Sequence, residues 1–276
     1  MITSTSNGQI KNLIQLQKKG KARKEQDVFV IEGIKMYEEA PRERIVKVYV
    51  SESFYHDIKE PLIQSRNPLS SRSTGHLQEK YFNDIPFEVV KDSVFKEISD
   101  TMTPQGIMAI IKKQHYALDE LFHNENANLV ILEEVRDPGN LGTILRTSEG
   151  AGVTGIILSK SSVDIYNPKV IRSTMGSIYR MPHIYVENLN KTLQEAKALG
   201  IALYAAHLAG ENDYDMEDYS SKCGILIGNE ANGLSREIAQ LASRYIKIPM
   251  EGKVESLNAA VAASILMYEI YRQRRH

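Results

Sequence analysis

The strongest constraint on this chain is the rhythm that begins at Asn128. From there, apolar stretches of strand length ("LVILEEV", "GIILS", "HIYV", "IALYAA", "GILIG" and "YIKIP") alternate with segments of helical character. Pro168 occupies a favourable first-turn position. Asn188 is suited to cap, and Gly200 to stop, the helix "NLNKTLQEAKALG". Ser235 caps a further helix, and residues 256–273 read as a long terminal one. Strands that are apolar on both sides and joined by helices imply a parallel sheet covered on both faces. Ligands of such sheets gather beyond the C-terminal ends of the strands, so those loops are where chemistry is expected.

The residues before Asn128 follow a different plan. Residues 8–20 place Ile10, Leu13, Ile14 and Leu16 near one helical face, with Gly20 as a plausible stop. "DVFVIEG", "RIVKVYVS", "IPFEVV" and "GIMAIIKK" read as strands around a short helix starting near Asp92. "PLIQSRNPLSSRSTGHLQEK" reads as an exposed loop. "HYALDELFHNENAN" shows no clear core pattern. A chain of 276 residues suits two domains. The expected division is 1–115 as a small α/β domain, 116–127 as a linker, and 128–276 as the parallel-sheet α/β domain.

Composition narrows the chemistry by exclusion. A single cysteine, Cys223, forms no intramolecular disulfide and rules out a Cys-rich metal site. The seven histidines are scattered without metal-ligand spacing, so no metal is expected. No stretch has the length of a signal peptide core or a membrane span, which makes a cytoplasmic location the default. The formal net charge of -1 gives no global pull toward nucleic acid. Its distribution does: Lys11, Lys18, Lys19, Lys21, Arg23 and Lys24 crowd one segment with no acid between them. Such a run is either a solvated helix face or the electrostatic footprint of an RNA site.

Three loops at strand ends carry unusual residues. The first is "DPGNLGTILRTSEGAG", with Asn140 and Arg146. The second is "GILIGNEANGLS", with Gly228, Glu230 and Gly233. The third is "YIKIPMEGKVESLNAAVAAS", with Ile248, Ser256, Leu257 and Asn258. Each has an ordinary reading by itself: glycines for turns, Asn140 or Ser256 as a helix cap, Glu230 as a carboxylate near a helix N-terminus. A nicotinamide or nucleotide site is disfavoured, since neither G-x-G-x-x-G nor G-x-x-x-x-G-K-[ST] is present.

Taken together, N-x-x-x-x-x-R (Asn140, Arg146), G-x-E-x-x-G (Gly228–Gly233) and I-P-M…S-L-N (Ile248–Asn258) resemble the motifs of the SpoU (TrmH-type) RNA ribose 2′-O-methyltransferases of the SPOUT superfamily. More softly, "SNGQIKNLIQLQKKGKARKEQDVFVIEG" and "TMTPQGIMAI" resemble the RNA substrate-binding domain that precedes the catalytic domain in many of these enzymes, a fold similar to an RNA-binding ribosomal protein.

The resemblance implies S-adenosylmethionine as methyl donor, a ribose 2′-hydroxyl as acceptor, a C-terminal trefoil knot, and a homodimer. Gly228, Ile248 and Leu257 would line the cofactor pocket. Asn140, Arg146, Glu230, Ser256 and Asn258 would form the catalytic set, with the four polar residues holding Arg146 and the hydroxyl in register. A guanidinium stays protonated, so Arg146 suits a phosphate or oxyanion clamp better than a base. Methyl transfer to a positioned oxygen from a neutral thioether leaving group needs no metal. Cys223 has no evident base beside it, which disfavours the cysteine-nucleophile route to base methylation. Ribosomal RNA is the first expectation for the substrate. Transfer RNA, or base methylation by a SPOUT relative, are the alternatives.

Overall fold

The computed structural model describes residues 1–59, 85–208, 210 and 212–275. The expected loop at 61–80 lies outside the described residues. Two compact units emerge: Met1–Gln114 with Tyr166–Tyr179, and His115–Ile165 with Arg180–His276.

Unit 1 contains α1 (Gly8–Lys18), α2 (Gly20–Glu25), β1 (Val28–Glu32), α3 (Ile34–Glu38), β2 (Ile45–Ser51), α4 (Glu52–Lys59), β3 (Phe87–Val90), α5 (Asp92–Ile98) and β4 (Ile107–Lys112). The sheet runs β1-β4-β2-β3, antiparallel except for the β2–β3 pair. Ile10, Leu13 and Leu16 are fully buried, packing α1 onto Val30, Tyr49, Phe95 and Met108. Each such side chain contributes roughly 1.5–3 kcal/mol, so this face holds α1 while its lysines face water. Gly20 does stand beyond the end of α1, but it also opens α2 at once.

Unit 2 contains α6 (Leu118–His123), β5 (Asn128–Leu132), α7 (Pro138–Gly150), β6 (Gly155–Ser159), β7 (His183–Val186), α9 (Leu189–Ala198), β8 (Ala202–Ala206), β9 (Asn212–Asp213), β10 (Cys223–Ile227), α10 (Arg236–Ala239), β11 (Arg244–Lys247) and α11 (Ala259–Arg274). Its seven strands are ordered β7-β6-β5-β10-β8-β11-β9, and every pair is parallel. This is the α/β architecture expected from the alternation. β5, β6 and β10 are buried along their whole length, which explains their unbroken apolar sequences.

Two local features depart from the sequence expectation. Helix α6 lies inside the stretch read as a linker, and its Leu121 and Phe122 are buried in the core of unit 2 with Leu129, Ile157 and Leu193. Two adjacent apolar residues are too short a pattern to reveal this. Chain order and packing also part company at Tyr166–Tyr179, which holds helix α8 (Pro168–Thr174) and belongs to unit 1. There the Tyr166 ring packs 4.8 Å from Phe29, and the Tyr179 hydroxyl donates to the Met36 carbonyl at 2.8 Å. Among the described residues, no helix is long and apolar enough to cross a membrane.

Candidate active site

β5 and β10 are neighbours, with Leu132 opposite Ile227 in the last paired register. One more rung follows, from the Glu133 N–H to the Ile227 carbonyl at 2.9 Å. Beyond it the two chains diverge, one toward α7 and the other toward α10. The loops they form are the first two sequence motifs. The third begins where β11 ends, at the same sheet edge, because β10, β8 and β11 are parallel neighbours.

Asn140 joins all three. Its Nδ2 donates to Glu230 Oε1 at 3.1 Å, and its Oδ1 accepts from Asn258 Nδ2 at 2.9 Å. Glu230 also accepts from the backbone N–H groups of Asp137 at 3.1 Å and Arg136 at 3.3 Å. Burial pushes the Glu230 pKa up, but hydrogen bonds from the Asn140 amide and from the backbone of Glu230, Asp137 and Arg136 outweigh it. The net effect holds the carboxyl below its ordinary value. Glu230 therefore remains an ionised acceptor at neutral pH, unsuited to take up a proton there.

Asn188 and Ser235 cap their helices as expected, but two other caps are not the residues the sequence suggested. Asp137, not Asn140, caps α7, its side chain accepting from the Asn140 N–H at 2.8 Å. That frees the Asn140 amide to act between loops. Likewise Asn258, not Ser256, caps α11, accepting from Ala260 N–H at 2.9 Å and Val261 N–H at 3.3 Å. One side chain thus starts the terminal helix and ties it to Asn140.

Two of the expected catalytic residues stand outside this network. Arg146 is exposed on α7, and its side chain makes no hydrogen bond or ion pair among the described residues. It lies about 9 Å along the helix from Asn140 and a third of a turn round, so Asn140 does not hold it. Ser256 is exposed and equally unpartnered among the described residues. Asn140, Glu230 and Asn258 register one another rather than the arginine.

The glycine motif has a steric reason. A Cβ on Gly228 would lie 2.1 Å from the Gly233 carbonyl carbon and 2.2 Å from the Leu234 nitrogen. The loop closes on itself there through paired bonds between Asn229 and Gly233, of 3.0 and 2.8 Å, and Gly233 takes a φ of 66° that glycine adopts readily. In the third loop, residues 249–257 make no hydrogen bond among the described residues, while Ile248 and Leu257 are half-buried. Free backbone donors and acceptors beside apolar side chains suit a purine ring and its polar edge.

Sequence reasoning missed Glu133, Glu134, Arg136 and Asn229. Asn229 Nδ2 donates to the Glu134 carbonyl at 2.9 Å, and Arg136 pairs with the Glu134 carboxylate at 2.7 Å. Their one signal was position, since polar residues directly after a buried strand must find partners at the sheet edge.

In unit 1, the basic run divides. Lys11, Lys18, Lys19, Lys21 and Lys24 are exposed. Arg23 is not available for RNA: it is 3% exposed and donates to the carbonyls of Leu16 at 2.7 Å and Gln17 at 2.9 Å. It satisfies the open end of α1. Cys223 is buried, and burial pushes its thiol up to about 11 despite the nearby Arg274 guanidinium.

The model of the SpoU rRNA methylase family matches residues 127–268, which hold all three loops. This chain belongs to the SpoU family. An MRM3-like substrate-binding domain matches residues 7–109. An uncharacterised tRNA/rRNA methyltransferase of Synechocystis is 31% identical over 277 residues, covering 99% of this chain and 94% of that protein. An rRNA methyltransferase from Sinorhizobium meliloti is 31% identical with a TM-score of 0.80, covering 98% of this chain and 96% of the other. Its AdoMet-bound structure aligns with the same TM-score at 30% identity, over 98% of this chain and 97% of the other. A solved RNA 2′-O ribose methyltransferase is 28% identical with a TM-score of 0.79, over the full chain and 99% of its own. The SpoU chain is thus a tRNA/rRNA methyltransferase by family, and that family draws its methyl group from S-adenosylmethionine.

Proposed function

We propose that this SpoU chain methylates a ribose 2′-hydroxyl of ribosomal RNA with S-adenosylmethionine as donor. The observation that carries the reading is the Glu230–Asn140–Asn258 relay, which ties the first loop to two others 90 and 118 residues further along the chain. A module that only held RNA would have no need of that alignment. The 2′-O target is supported by the likeness to the RNA 2′-O ribose methyltransferase, and the ribosomal substrate by the likeness to the Sinorhizobium meliloti enzyme.

The backbone of 228–234 and of 248–257 would hold the cofactor, with Gly228, Ile248 and Leu257 lining its pocket. When bound, S-adenosylmethionine supplies an electrophilic methyl on a sulfonium that departs as a neutral thioether. The protein's task is then to orient the ribose oxygen, largely a matter of positioning. Arg146 clamps a phosphate beside the reacting ribose, its guanidinium permanently charged. Glu230 keeps its charge and holds the Asn140 loop, so neither residue is the base. The hydroxyl proton passes to a phosphate oxygen held by Arg146 or to water. Ser256 contacts RNA from the third loop. The domain spanning 1–115 binds RNA through Lys11, Lys18, Lys19, Lys21 and Lys24, and 128–276 carries the chemistry. The trefoil knot, the homodimer and the cytoplasmic location belong to the same reading.

The test is transfer from methyl-labelled S-adenosylmethionine to ribosomal RNA, followed by digestion to nucleosides. Label in 2′-O-methylnucleosides is the expected result. Label confined to methylated bases would overturn the ribose assignment, and label only on transfer RNA would overturn the substrate.

A further inference from the structure

The loop 228–234 is gripped at both ends by groups on the chain leaving β5. At its entry, Asn229 Nδ2 holds the Glu134 carbonyl, while Asn229 Oδ1 accepts from Ala231 N–H at 2.9 Å and Asn232 N–H at 3.2 Å. At its exit, the Glu133 carboxylate accepts from the Ser235 backbone N–H at 2.8 Å and from the Ser235 hydroxyl at 2.7 Å. Ser235 in turn caps α10, its Oγ accepting from the Ile238 N–H at 3.3 Å. The Glu133 backbone is itself anchored to the sheet, its N–H donating to the Ile227 carbonyl.

The structure assigns Glu133 as a positioning residue that sets the cofactor loop through Ser235, an inference that rests on the reading of 228–234 as part of the cofactor pocket. The second grip is not needed to fold the sheet. Ser235 is exposed, and α10 is a four-residue helix with little stability of its own. What the grip does control is the neck of the loop, where Gly228 approaches Gly233 and Gly233 offers an easy hinge. A carboxylate that holds both donors of one residue makes a charge-assisted, bidentate contact, stronger and more directional than a single neutral bond. With it, the loop keeps one shape before the cofactor arrives; without it, binding must first order the loop.

The experiment measures S-adenosylmethionine affinity by calorimetry, RNA affinity by filter binding, and KM and kcat in the labelled-transfer assay. Glu133→Ala is expected to weaken cofactor binding about tenfold and raise the KM for S-adenosylmethionine to match. Its kcat at saturating cofactor and its RNA affinity should stay within twofold of wild type. Glu133→Gln, which keeps one acceptor, is expected to fall between. Ser235→Ala removes the hydroxyl that binds Glu133 and caps α10 but leaves the Ser235 backbone N–H on the carboxylate, so it keeps the test alive should Glu133→Ala fail to fold, and a threefold loss is expected. Cofactor affinity unchanged in Ser235→Ala and the soluble Glu133 variants would overturn the assignment. So would a parallel loss of RNA affinity and kcat, which marks general damage. A wild-type protein that takes up no S-adenosylmethionine would instead overturn the cofactor reading itself.

Discussion

Replacing Asn140 probes the relay at its centre. Asn140→Ala removes both the bond to Glu230 at 3.1 Å and the bond from Asn258 at 2.9 Å. At roughly 0.5–1.5 kcal/mol per bond, the loss is about 1–3 kcal/mol of alignment between loops. Expressed in the transition state, that is roughly a 5- to 150-fold fall in kcat/KM. Asn140→Asp makes a sharper test because it conserves shape and the bond to Asn258. It also sets a carboxylate oxygen against Glu230 where a donor stood. Both groups lie near water, so the repulsion is about 1 kcal/mol, which offsets the bond retained. Asparagine to aspartate is therefore expected to cost as much activity as truncation. Its melting temperature should hold, since an acid in the first turn favours α7. Adding Glu230→Gln removes the like charge, so the double variant should lose less than the sum of its parts. The assay is single-turnover methyl transfer with thermal unfolding measured on the same samples. Wild-type rates in Asn140→Asp, or strict additivity in the double variant, would refute the relay.

Four further outcomes follow from particular residues. Arg146→Ala is expected to abolish methylation while cofactor affinity stays within twofold, and retained turnover would remove it from the site. Alanine at Lys18, Lys19, Lys21 and Lys24 should weaken RNA binding and flatten its salt dependence by about three units of slope if all four meet phosphate. Arg23→Ala should instead destabilise unit 1 by about 2–4 kcal/mol, as expected for a buried cation bonded to carbonyls, visible in urea unfolding. The lowered Glu230 pKa predicts an acid limb: its stabilising contribution is complete above the ordinary value of 4.5 and is lost as pH falls through the lower folded value. Glu230→Gln should flatten that limb in a pH series of melting temperatures.

The parallel sheet was legible because strands buried on both faces leave unbroken apolar runs such as "LVIL" and "GILI". The three motif loops were legible because their residues stand at strand ends and, taken together, follow the order and spacing of the SpoU motifs. What escaped was contact at a distance. Asn140 looked like a cap until Asp137 proved to hold the helix, and Asn258 rather than Ser256 took the other cap. Glu133 and Ser235 lie about a hundred residues apart, beyond any periodicity. Arg23 looked like its lysine neighbours, since charge pattern does not say which side chain the turn between α1 and α2 directs inward. The packing of Tyr166–Tyr179 with unit 1 was invisible for the same reason. It also means that deleting 1–115 would strip the cover from Tyr166 and Tyr179, so the lysine variants test RNA binding more cleanly.

The most direct measurement compares 2′-O-methylation maps of ribosomal RNA from cells with and without this protein. The account predicts the loss of a defined 2′-O-methyl site, restored by wild type and not by Arg146→Ala. An unchanged ribose map accompanied by a missing base methylation would contradict it.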